Sequence, residues 1–108
     1  MGLVTKCFHV SSMPFAVVFT PAHTEGSPEE ADFLAAAARL AAIPGVEAFE
    51  VLRETSPKNG YRFGISMEFA GPDAYAAYNE HPDHVRFVET RWVAEVADFL
   101  EIDYEAAE

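Results

Sequence analysis

Tyr61-Arg62-Phe63-Gly64-Ile65-Ser66-Met67-Glu68-Phe69 alternates without a break: Tyr61, Phe63, Ile65, Met67 and Phe69 fall on one side, and Arg62, Gly64, Ser66 and Glu68 on the other. Successive strand side chains point to opposite faces, so this stretch predicts a β-strand with one face in a core. The turn residues Ser56-Pro57-Lys58-Asn59-Gly60 come immediately before it, and Val46 to Glu54 before those reads as a second strand. The two form a hairpin, with Phe49 and Val51 on the buried side.

Further upstream, Ser27-Pro28-Glu29-Glu30 supplies a capping hydroxyl, a proline at the first helical position and a glutamate placed to complete a capping box. The helix it opens carries Phe33, Leu34, Ala37, Leu40 and Ala41 as one stripe, and Pro44-Gly45 ends it after Ile43. Phe15 to Thr20 precedes this helix as a strand, with Phe15, Val17 and Phe19 on one side. Residues 1–12 read as an N-terminal arm or an extra strand, and residues 13–106 as the domain itself.

Downstream, Gly71-Pro72-Asp73 opens a short helix reaching Tyr78. Pro82 divides it from a second helical stretch with Val85, Val88, Trp92 and Val96. Ala97 to Tyr104 is a last strand, with Leu100, Ile102 and Tyr104 alternating against Phe99, Glu101 and Asp103. The order βαββαβ, an antiparallel four-stranded sheet with both helices on one face, is the ferredoxin-like α+β arrangement. Helices cover only one face, so the other calls for a second copy of the chain. Arg62, Ser66 and Glu68 are expected on that second face, inside the barrel of two protomers or near its rim, where a buried charge needs a partner.

Composition narrows the function classes. A chain of 108 residues holds one core, and 50% apolar residues with nine Phe and four Tyr make it a packed globule and not a disordered tail. A net charge of −11 repels phosphate backbones and anionic headgroups, which argues against nucleic acid and membrane surfaces as partners. No apolar run reaches the ~20 residues of a membrane span, and the N-terminus lacks the pattern of a signal peptide, so a cytoplasmic protein is expected. The single cysteine, Cys7, has no intramolecular partner and no activating cation beside it except Lys6, which points the other way on an extended chain. Phosphate-cradling glycine loops, serine nucleophile motifs and dinucleotide fingerprints are absent.

The stretch Ala77-Tyr78-Asn79-Glu80-His81-Pro82-Asp83-His84-Val85-Arg86-Phe87-Val88 resembles the signature of the stress-responsive A/B barrel (Dabb) family, in which a tyrosine and a His-Pro-x-His run introduce the last helix. Ile43-Pro44-Gly45-Val46, Phe49-Glu50-Val51, Gly60-Tyr61 and Ile102-Asp103-Tyr104 extend the resemblance over about three-quarters of the chain in the same order. Family members commonly begin the first strand with a histidine; the preferred alignment puts Met13 there, and His9 fills the position only if a longer irregular segment separates it from the strand. The resemblance implies a homodimeric α+β barrel. It also brings in the plant olivetolic acid cyclase type, a branch that closes polyketide chains without metal or organic cofactor. That branch's catalytic tyrosine matches Tyr78, and its catalytic histidine matches His84.

Two readings of the pair stand side by side. In one, His84 removes a proton α to a carbonyl, and the Tyr78 phenol hydrogen-bonds the developing enolate or alkoxide of a small apolar or carbonyl-rich ligand. In the other, the histidine braces the turn of a non-catalytic stress-responsive or scaffold protein. A cofactor-free monooxygenase, as in related barrels, is a third possibility without supporting residues. Tyr75, Phe87, Trp92 and Phe63 are candidate pocket residues, although aromatics at such spacings also build cores. His81 and His84 make no metal pair, because Pro82 interrupts the helix and no third ligand stands at a fixed spacing. A weakly held Mg²⁺ or Ca²⁺ on surface carboxylates would leave no legible motif.

Overall fold

The computed structural model describes residues 13–107. The expected N-terminal arm, with Cys7 and His9, lies outside the described residues. Strand β1 runs Met13–Pro21, two residues earlier and one later than the stretch its alternation marks, and buries Val17 and Phe19. Helix α1, Pro28–Ala38, starts at Ser27, whose hydroxyl accepts a hydrogen bond from the Glu30 backbone N–H at 3.1 Å. Glu30 reaches back to the N–H of Gly26 and not to that of Ser27, so the capping box closes one residue early. The same buried carboxylate also accepts from Arg62.

The inward stripe of α1 is Phe33, Ala36, Ala37 and Leu40, while Ala41 is exposed. The last turn, Arg39–Ala42, tightens to a 3₁₀ helix. Three residues per turn keep Leu40 above Ala37 but rotate Ala41 away from the core. Gly45, with φ of 93°, then takes the chain out of the helix in a conformation that costs glycine nothing.

Strand β2 is Glu47–Arg53 and β3 is Phe63–Phe69. In β3, Phe63, Ile65, Met67 and Phe69 are all buried and the residues between them are half-exposed, as the alternation predicts. β2 is bulged between Glu47 and Glu50, where Ala48 adopts φ of 51°. The extra residue returns Phe49 and Val51 to the core side. Arg62 lies just outside β3. It turns to Glu30 and to the carbonyl of His23 instead of facing a second protomer, because a buried carboxylate needs a cation more than the sheet face does. Ser66 and Glu68 keep the expected side, with the Ser66 hydroxyl 3.4 Å from Glu50.

Helix α2 spans Pro72–Glu80 and α3 spans Pro82–Phe87; a π-helical turn, Val88–Trp92, and a short helical turn, Val93–Glu95, lead into β4, Val96–Asp103. The inward residues of this region are His84, Phe87, Val88 and Trp92, and the expected Val85 is exposed. Restarting the helix at Pro82 sets its face one position away from that valine.

The sheet order is β2-β3-β1-β4 with every neighbour antiparallel, and the helices cover one face. This is the ferredoxin-like βαββαβ fold. Its core joins Phe19, Phe33, Phe63 and Phe69 with Phe87 and the half-buried Trp92; Phe19 lies 5.9 Å from Phe33 and 5.0 Å from Trp92 between ring centroids.

Candidate functional site

His81 and His84 have different surroundings. His81 is the extended residue between α2 and α3, and its Nδ1 accepts the backbone N–H of Asp83 at 3.1 Å, which caps α3. His84, a turn later, faces inward. Its Nδ1 is 3.1 Å from the carbonyl oxygen of Asn79 near the end of α2, so Nδ1 carries the proton and donates it. Nε2 is then the unprotonated nitrogen. Burial holds the imidazole below its ordinary pKa, partly opposed by the Asn79 bond, and His81 lowers it further.

Tyr78 packs its ring on His84, with centroids 4.4 Å apart, and on Phe69 at 5.1 Å. The residue is only 3% exposed. Among the described residues its hydroxyl has no hydrogen-bond partner, yet that oxygen is not sealed off. The space left to it is a cavity of about 70 Å³ that Tyr78 and His84 line together. Burial pushes the phenol above its ordinary range, and charge on Tyr75 and Glu101 adds to this, so it is a protonated donor at neutral pH.

Phe87 and Trp92 complete the helix side of the cavity, and Leu40 joins them from the end of α1. Phe15 and Val17 from β1 and Ile65 and Met67 from β3 form the sheet side. Phe99 and Glu101 of β4, both exposed, form its outer edge. The volume holds on the order of five waters or a small organic group.

Tyr75 and Phe63 lie outside this lining. Tyr75 packs against Phe15 and Phe69 and donates its hydroxyl to Asp103 at 2.9 Å, with Glu101 at 3.4 Å. Burial and that bond push its pKa up to about 12. Phe63 is core, 2% exposed, with the Arg53 guanidinium 5.2 Å from its ring centre.

Glu101 is the site residue that local pattern missed. Alternation along β4 separates Leu100 and Ile102 from Phe99 and Glu101, but does not say which set faces the helices. Pairing with β1 decides it: Phe99 stands opposite Phe19, and Glu101 opposite Val17. Burial and the neighbouring Asp103 raise the Glu101 carboxyl above its ordinary pKa, partly offset by the Tyr75 hydroxyl. Among the described residues, no group of three or more His, Cys, Asp or Glu side chains is arranged to hold a metal, and no helix is long and apolar enough to cross a membrane.

The model of the stress responsive A/B barrel domain matches residues 16–106. A Dabb family protein with a ferredoxin-like fold from Mesorhizobium loti is 54% identical, with a TM-score of 0.88 over 90% of this chain and 98% of that one. A hydroxynitrile lyase from Passiflora edulis superposes with a TM-score of 0.77 at 14% identity, covering 92% of this chain and 96% of its own. A dimeric ferredoxin-like protein of unknown function from Thermobifida fusca reaches 0.72 at 20% identity, covering 92% and 94%. The last two share the fold with this chain. A search of curated protein sequences finds no match.

Proposed function

The chain belongs to the stress responsive A/B barrel domain family, and from that premise we propose that it is a homodimeric, cofactor-independent lyase or cyclase acting on a small carbonyl compound. The observation that carries this reading is that His84 and Tyr78, packed ring to ring, line one cavity, with His84 Nδ1 bonded to Asn79 so that Nε2 is the nitrogen left for chemistry. In a cyclising reaction, Nε2 takes a proton from the carbon α to a carbonyl, and the Tyr78 O–H hydrogen-bonds the oxygen on which charge develops. The enolate carbon then bonds to a second carbonyl carbon, whose oxygen takes the proton back from the imidazolium. Both residues return to their starting state. The apolar walls keep bulk water from competing for the enolate.

Homodimerisation is supported by Leu52, Leu100 and Ile102, exposed together on the sheet face that the helices leave bare. The dimeric Thermobifida fusca relative shares this fold.

The first chemical step can be tested without the natural substrate. With acetophenone in D₂O, proton NMR follows deuterium entering the methyl group. The wild type exchanges faster than an equal concentration of free imidazole; His84→Ala falls to that background, and Tyr78→Phe slows exchange about tenfold or more. Exchange no faster than in His84→Ala overturns the reading.

One contact favours a non-catalytic alternative: the Nδ1 bond to Asn79 ties the end of α2 to the first turn of α3. A brace predicts that His84→Ala lowers the melting temperature and that no exchange activity exists to lose.

A further inference from the structure

The cavity contains a charge that the His84 and Tyr78 chemistry does not use. Across the helix-facing side of the sheet, one row runs Val51, Ile65, Val17 and Glu101, three apolar side chains ending on a carboxylate at the cavity wall. The groups that face Glu101 are Tyr75 and Tyr78 from α2 and Asp103 from its own strand. The Tyr75 hydroxyl, 3.4 Å away, is the hydrogen-bond donor it meets among the described residues, and Asp103 shares that hydroxyl. Burial favours the neutral form of His84, against the bond that its Nδ1 makes to Asn79. No lysine or arginine among the described residues lines the cavity. Among the described residues, every ion pair lies elsewhere in the molecule. The formal charge that the described residues present to a ligand is therefore that of Glu101, with Asp103 just behind it.

We propose that Glu101 is the specificity-determining residue of this cavity, admitting neutral and cationic carbonyl compounds and rejecting those that carry an anionic group. The inference rests on the reading of the cavity as a carbonyl site and names the substrate class it takes. Glu101 stands at an exposed edge of the cavity, so solvent screens it in part and it acts on a ligand group that comes within a few ångströms of it. An anionic ligand group would also find no lysine or arginine among the described lining residues to offset its lost hydration. An ammonium group on the same ligand skeleton gains where the anion loses.

Three ligands of one shape separate charge from size: 4-acetylbenzoate, 4-acetylbenzamide and 4-acetylbenzylamine. Their dissociation constants are measured by NMR titration of the intact protein, using the amide signals of Tyr78 and His84. For the wild type the amine binds tightest and the benzoate weakest, with about tenfold between amide and acid. Glu101→Gln, isosteric and on an exposed strand position, brings amide and acid within about threefold of each other. An amide-to-acid ratio that is near one in the wild type, or that survives in Glu101→Gln, overturns the proposal. Absence of binding by all three overturns it together with the carbonyl-site reading. The acetophenone exchange keeps the two failures apart: exchange without charge discrimination removes the role of Glu101 alone, and discrimination without exchange removes the reaction alone.

Discussion

On the helix-covered face of the sheet, the row Val51, Ile65, Val17 ends on the charged Glu101; on the opposite face, the row Leu52, Gly64, Val18 ends on the apolar Leu100. The covered face buries Val17 and Ile65 almost completely, whereas Leu52 and Leu100 are about half exposed. Coverage by the helices decides burial on the inner strands β1 and β3, and fades at the edge strand β4, where Phe99 on the covered side is as exposed as Leu100 on the bare side. A charge on the covered side is tolerable where the packing opens into a cavity, and apolar groups on the bare side are tolerable where a second copy can cover them.

The largest test of this contrast removes one large side chain from the covered face. Phe69 is fully buried against Tyr75 and Tyr78, and Phe69→Ala should cost about 3–5 kcal/mol in urea denaturation. Leu100→Ala, measured at a concentration where protomers are separate, should cost under about 1 kcal/mol. Equal losses would mean that the two faces are not energetically distinct.

An intermediate effect is expected on the bare face. Ile102→Glu places a charge beside Leu100, and sedimentation velocity at micromolar concentration should show the wild type as a dimer and the variant as a monomer with an unchanged circular dichroism spectrum. A wild type that sediments as a monomer would leave the bare face without the partner proposed for it.

The smallest effect belongs to His84. Its folded pKa lies below the ordinary value of 6.5, so the unfolded chain binds a proton that the folded chain resists. The stability this contributes is complete above about pH 6.5 and is lost as pH falls through the folded pKa. Urea midpoints at pH 7 and pH 5 should drop more for the wild type than for His84→Gln, and equal drops would place the imidazole in a solvent-like setting. The comparison between variants cancels the carboxylates, such as Glu30 and Glu95, whose lowered pKa values also respond to acid.

Much of the fold is legible from neighbours in the chain. The alternation of β3, the Ser27 cap and the helix break at Pro82 each depend on steric or hydrogen-bonding preferences that act over a few residues. The errors arise where the regular period changes. Ala36 replaces Ala41 on the core stripe because α1 ends in a tighter turn, and Phe87 rather than Val85 carries the inward face because the helix restarts at Pro82. Arg62 turns to Glu30, a partner 32 residues away that no local rule connects to it.

The candidate site divides in the same way. The spacing of Tyr78 and His84 brings both to one helix–helix junction, and a resemblance in that stretch is enough to single them out. Whether a cavity exists between them, and that Glu101 lines it while Tyr75 and Phe63 do not, depends on the pairing of β4 with β1 and on how side chains from three strands meet three helices. Short-range periodicity specifies which residues share a face. It leaves open which face is covered, because coverage is set by contacts between elements distant in the chain, and only their packing together distinguishes a buried wall from a bare one.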